Sequence, residues 1–199
     1  MSGEELDKIT ISKHCYGILR GLPKDHAKME LMQSNVTYFA LNTLNMLGTL
    51  DQFLKPEEQR DIIEWIYAQQ IHAPRRGGFR HSFANSSENS SIEETHMTMI
   101  FSSIAALLIL GDDLSRIDRD NLLLSIHDLQ LPNGSFRFEF ISDEADIRAI
   151  FSAAAVCHIL HGEDAINKEA AIQFILDSQT YEGGFAHEPG GEAHGGATY

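Results

Sequence analysis

A unit made of an amphipathic helix, a terminal Gln, a short turn and a Gly-x-Phe step occurs three times in this chain, and the repetition limits the folds open to it. The first copy runs Asp61-Ile-Ile-Glu-Trp-Ile-Tyr-Ala-Gln69 and, after a longer loop, Gly77-Gly-Phe79. The second is Leu122-Leu-Leu-Ser-Ile-His-Asp-Leu-Gln130 with Gly134-Ser-Phe136, and the third is Ala171-Ile-Gln-Phe-Ile-Leu-Asp-Ser-Gln179 with Gly183-Gly-Phe185. Ile62, Ile63, Ile66 and Tyr67 form a helical stripe, which Ala171, Ile172, Phe174 and Ile175 repeat. Pro56 followed by Glu57 and Glu58 predicts a helix start, with proline at its first position and acids at the positive dipole end. Gly134, Gly183 and Gly184 are expected to close helices where a positive φ is wanted.

Between these units lie helices of another kind. Ile100–Leu110 and Ile150–Leu160 are apolar nearly all round and rich in Ala and Ser, and 35–47 reads similarly. Such helices are buried on most faces. Small-residue inner helices alternating with amphipathic outer ones predict an all-α fold, part of a two-layer α/α toroid. The expected organisation is one incomplete α/α-barrel domain over residues 1–199. Residues 72–91, rich in Gly, Ser and Asn, read as an irregular surface loop.

Bulk properties narrow the partners. With 43% hydrophobic residues in 199, a real core is affordable. A net charge of −14 argues against nucleic acid or an anionic membrane as a partner. Cys15 and Cys157 form no CxxC pair and fit reduced cytosolic thiols. The start MSGEELDK carries no secretory signal, so the three Asn-x-Ser/Thr sequons at Asn35, Asn85 and Asn133 read as chance matches. The longest apolar stretch, Met97–Leu110, is interrupted by Thr98, Ser102 and Ser103 and falls short of the ~20 residues of a bilayer span. A cytoplasmic protein is expected.

Three polar residues fall at matching places at the starts of inner helices: His96, Arg148 and His194. In a toroid these starts converge at one end of the central cavity. Free N–H groups and a positive dipole end favour phosphate there, and Gly195-Gly196 lets the backbone come close to a ligand. Taken singly, each has a plainer reading. A His near a helix start is often a capping group, and Arg148 has Asp146, Asp143 and Glu144 as local partners. His187, Glu188, Glu192 and His194 match no zinc spacing, so no metal site is expected. Neither a Ser-His-Asp set nor a P-loop is visible, and no catalytic residue is assigned.

The Gln-x3-Gly-x-Phe repeats, followed by Glu192-Ala-His194-Gly-Gly-Ala-Thr-Tyr199, resemble the β subunits of protein prenyltransferases, relatives of the terpene-cyclase barrels. Asp61–Tyr67 and Leu108–Arg116 look most like geranylgeranyltransferase type I, and Asp146-Ile-Arg148 resembles the family's Asp-x-Arg element. The resemblance implies an α/α barrel whose apolar funnel holds an isoprenoid chain with its diphosphate at a basic rim. It implies transfer of geranylgeranyl from geranylgeranyl diphosphate to the Cys of C-terminal CaaX proteins, in a heterodimer with an α subunit. His194 with Gly195 and Gly196 carries over to the diphosphate site; Arg148 and His96 match residues lining the cavity. Zinc belongs to the complete enzyme, where it keeps the thiol deprotonated, but the family's Asp-x-Cys pair and later His lie downstream of the His-Gly-Gly motif. Residues 1–199 alone are therefore expected to be inactive and to bare apolar surface that further helices would cover. Two alternatives stay open at this point, a non-catalytic isoform that binds the α subunit and a farnesyltransferase β segment. Half of a terpene cyclase is disfavoured by Phe where that family has Trp.

Overall fold

The computed structural model describes residues 3–21, 33–72, 76–80 and 95–199. Residues 73–75 and 81–91 of the segment read as a surface loop lie outside the described residues. The described chain is helical: α1 Gly3–Arg20, α2 Gln33–Met46, α3 Leu50–Phe53, α4 Pro56–Tyr67, α5 Met97–Ile109, α6 Arg119–Leu129, α7 Ile147–Ile159, α8 Lys168–Asp177 and α9 Gly195–Thr198. Extended structure is confined, among the described residues, to two-residue strands: β1 Gln70–Ile71, β2 Gly78–Phe79, β3 Phe136–Arg137 and β4 Ala145–Asp146. The all-α reading holds. Two compact units divide the chain, one drawn from residues 1–70, 80–93 and 102–117, the other from 71–79, 94–101 and 118–199.

In the first unit α1 packs on α2, and Leu41, Leu44, Leu54 and Ile66 are buried. The Ser12 and Thr49 hydroxyls pair at 2.8 Å where that packing buries both. Helix α4 begins as its sequence predicts: Pro56 is its first residue, and the Glu58 carboxylate accepts from the Lys55 N–H at 3.0 Å. Its last residue, Tyr67, donates its hydroxyl to Asp112 at 2.5 Å. Arg116 lies over the Tyr67 ring at 4.0 Å and holds Glu64 through two hydrogen bonds of 2.6 and 2.9 Å.

In the second unit the repeat shows what its Gln-x3-Gly-x-Phe step does. Gln130 bridges Phe136, and Gln179 bridges Phe185, each as an antiparallel pair across a tight turn. Gly134 and Gly183 have φ of +91° and +87° inside these turns, several residues beyond the helices they were expected to close, and Gly184 is not left-handed. The turn then packs under the next outer helix. A Cβ on Gly77 would come within 2.7 Å of Asn121 backbone in α6, and one on Gly134 within 2.0 Å of the Ala170 carbonyl in α8. The Phe that follows goes into the core; Phe79 and Phe136 are fully buried. Burial of each contributes about 1.5–3 kcal/mol.

Inner helices end by a different device. After α2 and α5 the chain turns left-handed at Gly48 and Gly111, and after α7 it does so at His161 with φ +51°. At all three the N–H of the following residue reaches back into the last turn: Thr49 to Leu44, Asp112 to Leu107, Gly162 to Cys157. Burial matches the sequence reading in α5, where Met97, Ile100, Ile104 and Leu107 are sealed together with Ser102 and Ser103. One detail differs. Ile172, placed in the apolar stripe of α8, is 56% exposed, because Ala171 and Phe174 face inward and Ile172 lies off their side of the helix.

Candidate functional site

The three singled-out residues stand in the second unit, joined by a continuous chain of contacts. It starts at the β3–β4 hairpin, where Phe136 pairs with Asp146 and Arg137 with Ala145. The hairpin places Asp146 in an extended conformation at the start of α7, its Oδ1 accepting the Arg148 N–H at 2.8 Å. Asp146 is thus the N-cap of this helix. The Arg148 side chain folds back onto the same carboxylate, donating Nε to Oδ2 at 2.9 Å and Nη2 to the same oxygen. Glu144 lies 3.6 Å from that guanidinium, and Asp143 pairs instead with Arg137.

On the other side, the Arg148 guanidinium lies 5.4 Å from the centre of the Phe138 ring. Phe138 stacks on the His96 imidazole, rings 5.6 Å apart and 20° from parallel. Its carbonyl accepts the Met97 N–H at 2.7 Å, tying the hairpin to the start of α5. His96 caps that helix, its Nδ1 accepting the Thr98 N–H at 3.2 Å. Arg148 and His96 are therefore neighbours of one aromatic ring.

Asp146 also reaches the third residue. Its Oδ2 lies 3.2 Å from Nδ1 of His187, while the His187 carbonyl accepts the Ile147 N–H at 3.1 Å. The His187 ring packs on that of His194 at 4.6 Å. His194 is the N-cap of α9, with Nδ1 accepting from the Gly196 N–H at 3.1 Å. Its own N–H donates to Phe185 at 2.9 Å, and Thr198 closes the loop by accepting from the Phe185 N–H at 2.9 Å. Gly195 is small for no reason internal to this arrangement, since a Cβ there would meet no atom within 4 Å. A methyl on Gly196 would press on the His194 ring at 3.3 Å.

In the sequence, Arg148 stands as the equivalent of His96 and His194. The structure shifts that register by two residues: the position matching the two histidines is Asp146, and Arg148 matches Thr98 and Gly196. The plainer readings are part of the answer too, because both histidines do cap helices and Arg148 does pair with Asp146 and Glu144. Two members went unnamed as site residues, Phe138 and His187. The Phe-Arg-Phe-Glu-Phe run from Phe136 signals a hairpin with aromatics, but nothing local points Phe138 at His96.

Electrostatics follow from the pairing. Burial alone would raise the Asp146 carboxyl, but the Arg148 side-chain and backbone hydrogen bonds, the Arg148 charge and the His187 contact together hold it below the ordinary carboxylate value. The Arg148 guanidinium is raised, chiefly by its hydrogen bonds to Asp146. With Nδ1 of His194 occupied as an acceptor, Nε2 is the ring's remaining donor. The arrangement offers an anion one imidazole N–H beside an open glycine backbone, and a guanidinium already half-neutralised by its own carboxylate. Among the described residues, no three His, Cys, Asp or Glu side chains group to hold a metal ion.

Comparison with known proteins gives a consistent answer. The prenyltransferase α-α toroid domain matches residues 6–199. The geranylgeranyl transferase type-1 β subunit of Arabidopsis thaliana is 33% identical over 192 residues, 89% of this chain and 50% of its own length. The corresponding subunit of Dictyostelium discoideum is 29% identical over 221 residues, covering 99% of this chain and 62% of that protein. This chain thus spans about half to three-fifths of the length of these curated relatives. A solved structure of Candida albicans protein geranylgeranyltransferase-I complexed with GGPP superposes with a TM-score of 0.85 at 21% identity, over 96% of this chain and 56% of that one.

Proposed function

We propose a function from the premise that this chain belongs to the prenyltransferase α-α toroid family: it is a β-subunit segment of a protein geranylgeranyltransferase type I. The observation that carries this reading is the match to type-1 β subunits along 89–99% of the chain, within a family domain whose match includes the His194-Gly-Gly element. Its partners are an α subunit, geranylgeranyl diphosphate and proteins ending in a CaaX sequence. The single family domain over residues 6–199 supports treating both compact units as parts of one toroid domain. No described helix is long and apolar enough to cross a membrane, and we place the protein in the cytosol.

In the transfer, the cysteine sulfur of the acceptor forms a bond to C1 of the isoprenoid as the C1–O bond breaks and diphosphate departs. Negative charge grows on the departing oxygens, so donors held in place beforehand lower the barrier. His194 supplies Nε2–H to a diphosphate oxygen, and the Gly195-Gly196 backbone lets the anion come close. Arg148 and His96 both touch the Phe138 ring, and we read the pair as lining the adjoining cavity.

The described residues do not fit the zinc that this family reading calls for in the complete enzyme. Besides the lack of a ligand group among them, Cys157 is fully buried and burial pushes its thiol up to about 11, the opposite of what a thiolate ligand needs. Cys15 is buried in a different helix. No step is assigned to the metal on these residues; its ligands belong elsewhere in the enzyme.

The test is to co-express the full-length β chain with a prenyltransferase α subunit, supply zinc, and measure transfer of C20 and C15 donors to peptides ending in CaaX. Preferential geranylgeranyl transfer is expected. Preferential farnesyl transfer would make the chain a farnesyltransferase β segment, and α-subunit binding without any transfer would favour the non-catalytic isoform.

A further inference from the structure

One carboxylate sits at the centre of the site without lying on the sequence element that the family resemblance marks for the diphosphate. Asp146 is buried, with 8% of its side chain exposed, yet its two oxygens take five contacts from three directions. One comes from the α7 backbone and three from the Arg148 guanidinium. The fifth comes from His187, a residue of the following repeat that carries no part of the His-Gly-Gly element. Sealing a carboxylate is costly, and it is tolerated where every lone pair is used.

If the carboxylate served only to cap α7, the Arg148 N–H would satisfy it. At the equivalent place the two histidines cap their helices with a single ring nitrogen. What Asp146 adds is a link between repeats. It fixes His187 at Nδ1, the Ile147 N–H fixes the same residue through its carbonyl, and the His187 ring then backs that of His194 at 4.6 Å. The same carboxylate turns Arg148 back toward Phe138. The charged and titratable groups facing it are the Arg148 guanidinium and the His187 imidazole, with Glu144 beside Arg148.

We infer that Asp146 is a positioning residue for the substrate site, holding Arg148 directly and the His194 imidazole through His187, so that one carboxylate sets both sides of the cavity together. This rests on the reading of His194 as a diphosphate ligand and extends it to two residues that touch no diphosphate themselves. Removing the carboxylate releases the His187 ring that backs His194 from its side-chain tie and leaves Arg148 without its anchor, and misplacement on the scale of an ångström is enough to change binding or rate by tenfold or more.

The experiment uses the full-length β chain assembled with its α subunit and zinc, in four variants: Asp146→Asn, Asp146→Glu, His187→Phe and His194→Ala. Affinity for geranylgeranyl diphosphate is measured by fluorescence titration with inorganic pyrophosphate as competitor, beside KM and kcat and thermal melting. Asp146→Asn is expected to weaken diphosphate and pyrophosphate binding about tenfold, with Asp146→Glu recovering part of the loss. His187→Phe keeps a ring against His194 and leaves the α7 cap and Arg148 pair intact, so it is expected to give a smaller loss in the same direction at unchanged melting temperature. Lower melting of Asp146→Asn with pyrophosphate affinity retained would reduce Asp146 to a helix cap and overturn the inference. Should Asp146→Asn fail to assemble, wild-type affinity in His187→Phe overturns it equally. His194→Ala separates the two layers: unchanged affinity there sinks the diphosphate reading and this inference with it, whereas loss in His194→Ala without loss in the other variants sinks only the role of Asp146.

Discussion

His96 and His194 cap their helices in the same way, each ring accepting at Nδ1 the N–H of the residue two places on, Thr98 at 3.2 Å and Gly196 at 3.1 Å. An imidazole that accepts at Nδ1 is neutral there and carries its proton on Nε2. The cap therefore selects the tautomer in which Nε2 carries the N–H, fixed by the helix's own backbone.

This separates two duties of His194. Asn is a good N-cap, so His194→Asn should keep the capping bond while removing the Nε2 donor, whereas His194→Ala removes both. The loss of a cap is worth about 0.5–2 kcal/mol. In the assembled enzyme, both variants should weaken pyrophosphate binding to a similar degree, while only His194→Ala should also lower the urea midpoint. Equal binding by wild type and His194→Asn would show that the histidine is there for its cap.

The turn glycines make a second contrast. Gly134 and Gly111 both have positive φ, +91° and +77°, but a Cβ at Gly111 meets nothing within 4 Å and one at Gly134 runs into the Ala170 carbonyl at 2.0 Å. Gly111→Ala should cost only the backbone strain less the freedom glycine has in the unfolded chain, a net loss of about 0.5–1 kcal/mol. Gly134→Ala must also push α8 off the turn, and it is expected to cost about 3 kcal/mol or more. Chemical denaturation of the two variants settles the comparison; similar losses would mean the turn and α8 separate easily.

The same contrast explains what was legible in the sequence. The Gly-x-Phe step announced itself because Phe79 and Phe136 are core residues and Gly134 lies under a helix, so local composition and packing say the same thing. The ends of the inner helices were equally available, in Leu47-Gly48, Leu110-Gly111 and Leu160-His161, but the third copy hides behind a histidine. The two-residue register error at Arg148 came from matching basic side chains, where the shared property is an acceptor at the cap. The contact of Asp146 with His187 could not be read at all. It joins residues of successive repeats and depends on the hairpin at Phe136 and the turn at Gly183 both being in place.

Acid should act through Asp146. Its folded-state carboxyl is held below the ordinary value of about 3.9, so the folded protein binds fewer protons there than the unfolded chain. The stabilisation is complete above the unfolded pKa and fades as pH falls through it and then through the lower folded value. Asn at 146 cannot titrate. The stability gap between wild type and Asp146→Asn should therefore be full above about pH 5, on the order of 1–3 kcal/mol, and should narrow below about pH 4. Urea unfolding of both proteins from pH 3 to 7 measures it, and a gap independent of pH would show that the carboxylate charge contributes nothing.

His161 offers the opposite kind of change, a substitution that should help. It stands where Gly48 and Gly111 stand in the earlier copies, with φ +51° and with Gly162 N–H donating back to Cys157 at 2.8 Å. An L-residue held left-handed costs about 1–2 kcal/mol, and glycine there regains it less about 0.5–1 kcal/mol for the greater freedom of the unfolded chain. The backbone contacts survive the exchange, since Arg119 reaches the His161 carbonyl and not its ring, at 2.7 Å. His161→Gly is thus expected to stabilise by about 0.5–1 kcal/mol, a rise of about 1–4 °C in melting temperature for a domain of this size. Gly111→His, the reverse exchange at the matching position, should lose a similar amount. A fall in melting temperature for His161→Gly would show that the imidazole makes a contact worth more than the strain it carries.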